Sequence, residues 1–493
     1  MTKNRLLQNL NHAMTRSTIH EPARDIPVAR ETDILVCGGG PAGIAAAFTA
    51  ARAGARVLLL EHHPFPGGVW TAGALTILID TEKKPGLNRE LRQRLETRGA
   101  ATYCKQWPEW TVYGIEAMKS LLDEMTEETG IDVQLCTQVT AVAREGSRVT
   151  GVFTESKSGR EFIRARIVID TTGDGDVCAL AGCPFEHGRP GDGKVQPMTL
   201  YGRIGGYRGT GAAWHHPMLD IARKAGFPIS YEGVTLFPQP GQPGVFMLMA
   251  THLWGSGIDV RDLTRAELQG RREIRQLVHL LRTQGGDDWK DIYLIDTGPF
   301  LGVREARRIL GRYHLTHDDL RAGRRFDDGI CHVRFNVDIH HPDPEEGKNL
   351  YHLPMQPYDI PYRCLLPRDI DNLMTAGRCI SGDHVAHASY RVTGDAVATG
   401  EAAGLAAALA LETRVDPPSI DVPAFLARLS AMRGRNPLPC PVDPSVPPPP
   451  PRHCIRLSLR PTPDRTARSG RGFFGNGGQK SAPPRRVRAP WRR

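Results

Sequence analysis

The amino-acid sequence predicts an α/β fold built on a parallel sheet, from three observations near its start. Residues 33–37 form a short apolar run that is typical of a buried strand. Residues 41–53 follow as an alanine-rich helix, with Pro41 in the first turn, where its missing N–H is tolerated, and Gly54 where a helix should end. A second apolar run covers residues 56–60. A strand, a helix and a strand in this order form a βαβ unit with two parallel strands.

The chain after this unit adds an antiparallel layer. Two alternating runs, 139–145 and 148–155, flank a turn, and residues 160–163 predict a third strand of a β-meander. Residues 165–170 form another apolar run that predicts a buried strand. An alanine-rich helix is predicted over 398–412, at the end of the compact part of the chain.

A glycine motif joins the first strand to the first helix. Gly38, Gly40 and Gly43 form G-x-G-x-x-G, and Glu61 ends the second strand 18 residues later. The first glycine allows a tight turn, the second lets a pyrophosphate approach the backbone, and the third lets helix and strand pack closely. The helix N-terminus then faces the phosphates. A carboxylate at Glu61 suits the ribose hydroxyls of a dinucleotide.

Gly67 and Gly68 follow Glu61 in the way that is usual in flavoproteins. With this pair the chain resembles the glutathione-reductase-like FAD superfamily and, more narrowly, the FAD-dependent oxidoreductase family that includes the flavin part of heterodisulfide reductase. The resemblance implies a Rossmann-like, three-layer FAD-binding domain, with a parallel sheet plus an antiparallel β-meander and an inserted α+β substrate domain. It implies these FAD-binding residues: Gly38, Gly40, Pro41, Ala42, Gly43, Glu61, Gly67, Gly68, Thr172, Gly173, Asp174, Gly377, Arg378 and Gly394.

Three later segments support the resemblance, which covers about residues 30–412. Residues 169–176 run from a strand into a Gly/Asp turn, which in the family closes over the adenosine side of FAD. Residues 302–308 are a basic segment typical of the narrower family. The segment 372–404 passes the isoalloxazine in such flavoproteins. A helix N-terminus or a cation such as Arg391 would there stabilise the negative charge of reduced flavin.

The chain also departs from several relatives. Val69, Trp70 and Thr71 follow the glycine pair where relatives with covalent flavin carry a histidine, so we expect non-covalent FAD. The ten cysteines show neither zinc spacing nor the closely spaced run that ligates an iron–sulfur cluster. We therefore predict no metal site, and scattered cysteines of this kind fit a reducing cytoplasm. A second strand-linked G-x-G-x-x-G for NAD(P)H is missing from the sequence.

Residues 382–391 are the best candidates for acid–base chemistry, because the family places this loop beside the flavin. His384 and His387 are the predicted catalytic residues, since an imidazole titrating near neutral pH suits a proton transfer that accompanies hydride movement. Structural, hydrogen-bonded histidines are the alternative. Arg391 is predicted to contact the flavin or an anionic substrate, with a structural ion pair as the alternative.

Arg304, Arg307 and Arg308 form a second basic group. On a helix they would share one face, which would hold a carboxylate substrate through bidentate hydrogen bonds. A salt-bridged helix that joins two domains is an equally open interpretation. Three histidines of the predicted substrate region are weaker candidates: His215, His216 and His252.

We predict an oxidoreductase that transfers hydride between a small organic substrate and FAD, with the electrons then leaving to an acceptor protein or O₂. Three alternatives remain open: a flavin monooxygenase, an electron-transfer component of a larger iron–sulfur complex, and a non-catalytic FAD-binding protein. The sequence does not name the substrate.

The domain prediction has four parts. We expect a disordered leader over 1–30, a discontinuous FAD-binding domain over 31–195 and 300–415, a substrate or cap region over 196–299, and a Pro/Arg-rich disordered tail over 437–493. The tail has 12 Lys+Arg against two acids, a balance of +10, so it accounts for the net charge of +9 of the whole chain. The near-neutral remainder argues against nucleic-acid binding. Without a signal peptide or an apolar span, we expect a cytoplasmic protein.

Overall fold

A computed structural model of the protein describes residues 18–103, 110–209 and 217–434. Its strands are β1 (Val28–Cys37), β2 (Val57–Leu60), β3 (Ile77–Leu78), β4 (Ala101–Tyr103), β5 (Thr111–Tyr113), β6 (Asp132–Gln134), β7 (Gln138–Glu145), β8 (Arg148–Ser156), β9 (Gly159–Asp170), β10 (Phe185–His187), β11 (Tyr201–Gly205), β12 (Thr235–Pro238), β13 (Phe246–Met249), β14 (Tyr293–Thr297), β15 (Arg307–Ile309), β16 (Gly329–Val333), β17 (Val337–His340), β18 (Leu350–Leu353), β19 (Tyr358–Pro361) and β20 (Leu373–Thr375). Its helices are α1 (Pro41–Arg52), α2 (Leu87–Thr97), α3 (Ile115–Thr129), α4 (Asp176–Leu180), α5 (Met218–Lys224), α6 (Val260–Gln284), α7 (His317–Ala322), α8 (His384–Tyr390), α9 (Thr393–Thr413) and α10 (Val422–Gly434).

The predicted α/β class is confirmed, and the βαβ unit is formed by β1, α1 and β2. β1 begins at Val28, five residues before the predicted strand, because its extra residues pair with β9. The two runs predicted as separate strands over 160–163 and 165–170 form the single 12-residue strand β9. The predicted tail at 437–493 lies outside the described residues.

The central sheet has the strand order β6-β2-β1-β9-β8-β7, and β20 pairs with the last residues of β9. The strands β6, β2, β1, β9 and β20 are mutually parallel, whereas β7, β8 and the first half of β9 form the antiparallel meander. Cys37 is in register with both Leu60 and Asp170, and Thr375 is also in register with Asp170. Four parallel strands therefore end at one level, and the loops that follow them meet at one edge of the sheet.

Helices α1 and α9 pack on one face of this sheet at unusually close range. A Cβ on Gly400 would lie 2.2 Å from the carbonyl oxygen of Ala42, and one on Gly404 would lie 2.2 Å from that of Ala46. Only glycine allows such an approach, because any side chain would overlap the backbone of α1. The N-termini of both helices are thereby held at the edge where the strands end.

Residues between β10 and β15 include a second, antiparallel sheet in the order β12-β13-β11-β14. One face of this sheet, with Ile204 and Leu248, packs against Ile274 and Leu277 of α6. Asp259 caps α6 by accepting hydrogen bonds from two backbone N–H groups of its first turn. The opposite face of the sheet is turned toward β3 and β5. We call this part of the molecule, residues 197–303, the cap.

None of the helices in the described part of the chain is both long and apolar enough to cross a membrane.

Candidate functional site

A cavity of about 1220 Å³ lies where the parallel strands end, and it continues to the cap. Its first end, which we call the sheet end, is lined by residues that follow the central strands: Gly38, Gly40, Pro41, Ala42, Glu61, Gly68, Thr172, Gly173, Asp174, Gly377 and Arg378. The other end, the cap end, is lined by Tyr201, Tyr231, Phe237, Met249, Arg304, Asp338, His340 and Arg391. The cavity exceeds the usual size of a pocket for one small molecule.

The glycines of the first motif have distinct structural roles. Gly38 has φ of +106°, and a Cβ there would lie 2.5 Å from the carbonyl oxygen of Thr171, so both the turn and the close approach require glycine. A Cβ on Gly43 would lie 1.7 Å from the Gly38 carbonyl oxygen. At Gly40 the nearest atom would be 4.0 Å away, on Gly68. Gly43 is therefore a packing residue that does not line the cavity, whereas the backbone at Gly40 is open to it.

Glu61 holds the glycine turn in place. Its Oε2 accepts a hydrogen bond from the Gly39 N–H at 2.6 Å, and its Oε1 accepts one from the His63 N–H at 2.8 Å. Burial alone would raise the pKa of Glu61, but hydrogen bonds from His62 and the His63 N–H lower it below its ordinary value. The carboxylate is thus ionised, buried and still in contact with the cavity.

Glu61, His62 and His63 also offer three potential metal ligands within 4.8 Å of one another. His62 Nδ1 lies 3.0 Å from the Glu61 carboxylate, and this hydrogen bond raises the pKa of His62. Burial, followed by the charge of His62, lowers the pKa of His63 to about 4. Both carboxylate oxygens are already satisfied by N–H donors, so the group is stable as a hydrogen-bonded network.

The second glycine segment is anchored by Asp170. Its carboxylate accepts hydrogen bonds from the Thr172 N–H, at 3.1 Å, and from the Cys178 N–H, at 2.8 Å. The turn then places Asp174 2.7 Å from Arg378, whose Nη1 is buried without a hydrogen-bond partner among the described residues. Arg378 Nη2 also lies 2.6 Å from the position of a Cβ on Gly173, and the φ of +81° at Gly173 favours glycine in this turn.

Three other predicted glycines lie in or behind the walls of the cavity. Gly67 and Gly68 have φ of +111° and +51°, and the Gly67 N–H donates to the Gly39 carbonyl oxygen at 2.7 Å. Gly68 lines the cavity, whereas Gly67 does not line it and instead holds the loop in place through this hydrogen bond. Gly394 packs against another segment: its N–H donates to the Ile79 carbonyl oxygen at 3.0 Å, and it does not line the cavity.

The helix predicted for the basic segment is wrong. Arg307 and Arg308 belong to β15, which pairs antiparallel with β10, so they point to opposite sides. Arg307 lines the cavity and donates to Asp176 at 2.7 Å. Arg308 is 1% exposed, donates to Glu305 at 2.6 Å, and has no contact with the cavity. Long-range strand pairing has overridden the local helical pattern.

Arg304 lies just before β15 and lines the cap end of the cavity. Its Nη1 donates to the Pro197 carbonyl oxygen and to Thr199 Oγ1, both at 2.6 Å. These two bonds fix the guanidinium on the first residues of the cap. Of the three predicted substrate arginines, Arg304 and Arg307 therefore reach the cavity.

The predicted loop over 382–391 contains the helix α8, which Asp383 caps by accepting from the Ala386 N–H at 2.7 Å. His384 Nδ1 lies 2.8 Å from Glu305. His387 has no hydrogen-bond partner within the described ranges, and burial, followed by the charge of Arg308, lowers its pKa well below the ordinary value. Both imidazoles are buried behind the wall, and neither lines the cavity.

Arg391 does line the cavity, and it also forms an ion pair with Asp338 at 3.0 Å. Asp338 Oδ2 lies 3.3 Å from His340 Nε2, and His340 Nδ1 lies 2.8 Å from His252 Nε2. Burial and then the charge of Arg304 lower the pKa of His340 to about 3. Burial and then His340 lower the pKa of His252 well below its ordinary value. Both imidazoles are therefore neutral near pH 7.

This polar chain was missed in the sequence, apart from the weak candidate His252, which is fully buried and does not line the cavity. The sequence feature that could have indicated it is the pair Asp338 and His340. These two polar residues are two positions apart in an apolar strand and therefore lie on one face of it. His215 and His216 lie outside the described residues.

A family model and segments of known proteins match this chain. A family model described as FAD dependent oxidoreductase matches residues 33–429. A segment of 48 residues, 10% of this chain, is 54% identical to the alpha chain of sarcosine oxidase from Corynebacterium sp. (strain U-96). Over 187 residues, 34% of this chain, it is 29% identical to the thiamine thiazole synthase of Aeropyrum pernix. These matches span 5% and 64% of the two relatives, which is less than two thirds of either.

Among solved structures, the chain is similar to a geranylgeranyl bacteriochlorophyll reductase-like protein from Thermoplasma acidophilum. The two are 15% identical, the superposition covers 82% of this chain and 83% of the other, and the TM-score is 0.42. A likeness at this level assigns no activity.

Proposed function

Since the chain belongs to the FAD-dependent oxidoreductase family, we propose that it transfers hydride between a small organic substrate and non-covalently bound FAD. One observation carries the proposal: a single cavity joins the glycine-rich sheet end to a cap end of different chemistry. The sheet end offers glycine-rich backbone and the Glu61 carboxylate, as a dinucleotide requires, and the cap end offers arginines beside aromatic side chains.

The residues of the sheet end fit FAD on two observations. The backbone at Gly40 is open where a side chain would enter the cavity, and it opens the N-terminus of α1 toward that space. Arg378 Nη1 is a buried donor without a partner among the described residues, which an acceptor of the cofactor would satisfy. In this proposal Gly38, Gly40 and Glu61 hold the adenosine diphosphate part.

Bound FAD supplies a two-electron acceptor or donor for hydride. The chain itself orients the substrate and excludes water. The cap end does so with Tyr201, Phe237 and Met249, which line the cavity beside Arg304 and Arg391. We propose that the Asp338–His340–His252 chain, in place of His384 and His387, orients the substrate through hydrogen bonds, because Asp338 and His340 line the cavity and both imidazoles stay neutral near pH 7.

Non-covalent attachment is part of the proposal, supported by Val69 and Thr71, which offer neither an imidazole nor a thiol next to Gly68. Acid precipitation tests it: the yellow colour should appear in the supernatant, and a yellow pellet would contradict it. The narrower relation to the flavin part of heterodisulfide reductase remains a prediction, supported by the basic segment 302–308.

An anaerobic flavin-bleaching screen of the purified protein tests the reaction class. The donors are small carboxylates, alcohols, amines and thiols, with NADH and NADPH as separate arms. Bleaching by an organic donor supports the proposal. Bleaching by NADPH alone would favour a monooxygenase, and a flavin that stays oxidised with every donor would contradict the proposed activity.

A further inference from the structure

Arg304 carries a buried positive charge that is only partly balanced, because Asp338 interacts with it electrostatically but is also the ion-pair partner of Arg391. Its side chain is 8% exposed, and among the described residues its hydrogen bonds run only to neutral oxygens, those of Pro197 and Thr199. A buried guanidinium whose charge is incompletely balanced is unfavourable, because it has lost much of its hydration. Such a group is ordinarily retained where an anion is to be bound.

The acidic side chains nearest to Arg304 form their hydrogen bonds and ion pairs with other residues. Glu305, the next residue, accepts hydrogen bonds from Arg308 at 2.6 Å and from His384 at 2.8 Å. Asp338 is paired with Arg391 at 3.0 Å. Neither carboxylate forms a hydrogen bond with Arg304, and the two guanidinium groups of Arg304 and Arg391 share the charge of Asp338 at the cap end of the cavity.

The floor beside Arg304 is apolar. Tyr201 is in register with Met249, and Phe237 lies two positions along β12 from Thr235, which is also paired with Met249. Because side chains alternate along strands, Tyr201, Met249 and Phe237 share one face of the cap sheet, and all three line the cavity. Leu75, Ile77 and Trp110 line the cavity as well.

We propose that the substrate is a small organic acid with an apolar body, whose carboxylate binds Arg304 and whose body lies on the Tyr201–Phe237–Met249 face. This inference rests on the proposed function and adds to it the substrate class. The carboxylate accepts charge-assisted hydrogen bonds from the free edge of the guanidinium, while Thr199 holds the other edge. The apolar body gains the free energy of leaving water.

The test uses the flavin-loaded protein and three probes: phenylacetate, its neutral isostere phenylacetamide, and acetate. Binding is followed by calorimetry and by the perturbation of the flavin spectrum. We expect phenylacetate to bind at least about ten-fold more tightly than either of the other two. The amide lacks the charge and acetate lacks the apolar body, so each probe isolates one half of the site.

The variants are Arg304→Met, Arg304→Lys and, as a matched control, Arg312→Gln, which removes an exposed arginine paired with Asp371. The preference for phenylacetate over the amide should fall close to one in R304M, stay partial in R304K, and be unchanged in R312Q. Equal binding of acid and amide by the wild type would overturn the inference, even if R304M fails to fold. So would a preference that survives in R304M, or no binding of phenylacetate.

Different results would contradict the proposed function and the inferred substrate class. Protein without flavin, or with flavin that no donor bleaches, would contradict the proposed function, while calorimetry would still report the preference for a carboxylate. Bleaching by neutral donors without any preference for acids would overturn the inference and leave the proposed function standing.

Discussion

Asp174 accepts a hydrogen bond from Arg378 at 2.7 Å, and this contact joins two turns that lie 204 positions apart in the chain. Both residues line the cavity, and the second amino group of Arg378, Nη1, has no partner among the residues that the structure describes. The pair closes the sheet end of the cavity between the loops that follow β9 and β20.

If Arg378 holds FAD as proposed, replacing it by Met should weaken FAD binding about ten-fold or more, because the variant would lose a charge-assisted donor to the cofactor and release Asp174. The measurement is the dissociation constant of FAD from fluorescence quenching. Arg368→Gln, a change at an exposed arginine, is the control and should bind FAD like the wild type. Unchanged affinity in R378M would remove Arg378 from the proposed FAD site.

Two glycines of the first motif should respond to substitution in opposite ways. Gly40→Leu places a side chain in open space at φ of −70°, so the protein should fold normally and lose FAD. Gly43→Leu forces a clash with the Gly38 carbonyl oxygen and should reduce folding yield and thermal stability. Flavin content and melting temperature separate the two effects. A Gly40→Leu protein that retains its flavin would disprove the assigned role of the Gly40 backbone.

Because α1 and α9 are in close contact, a single methyl group added between them should lower the free energy of unfolding markedly. Gly404→Ala should destabilise the protein by about 1–3 kcal/mol, since the helices must move apart, although alanine favours a helix. Gly434→Ala, at the end of α10 with no described atom within 4 Å of the added methyl group, should be neutral or slightly stabilising. Urea unfolding at pH 7 measures both, and equal midpoints for the two variants would argue against the packing described.

The lowered pKa of His340 should make the stability of the protein depend on pH. Burial, and then Arg304, lower its pKa from 6.5 to about 3, so between these values the unfolded chain binds more protons than the folded one. Stability should therefore fall as the pH is lowered from about 7 toward 4. His340→Gln should make this decline shallower, with a remaining slope from His252 and His387, whose pKa values are also lowered by burial.

Chemical denaturation at about pH 7, 5.5 and 4.5 measures this slope, because these values span the range in which the two states differ in bound protons. His279→Gln, at an exposed position of α6, should decline like the wild type. A variant at His340 with the wild-type slope would show that this imidazole does not titrate below its ordinary range.

Local patterns predicted local structure well. The βαβ unit, the meander and α9 follow from apolar runs, glycine turns and an alanine-rich stretch, in which neighbouring residues decide the conformation. Gly40 and Glu61 lie on the cavity wall, because the glycine motif encodes its own turn, and their role in holding FAD stays a prediction.

Long-range contacts account for the differences. Arg308 turns away from the cavity because β15 pairs with a strand more than 100 residues earlier, which no helical periodicity records. His384 is drawn to Glu305 and so lies behind the wall. Asp338 and His340 reach the site through β17, from a stretch that carries no recognisable motif. Tertiary pairing of this kind cannot be inferred from one sequence.

The contact of Gly400 and Gly404 with α1 has a consequence for biosynthesis. Helix α1, which begins after Gly40, packs against α9, and α9 lies near the C-terminal end of the residues that the family model matches. The ribosome must therefore complete nearly the whole domain before α1 can form this contact. Until then the apolar surface of the nascent βαβ unit stays exposed. Assembly of the nucleotide cradle is therefore a late event, and chains that end before α9 should be substrates for chaperones and proteases.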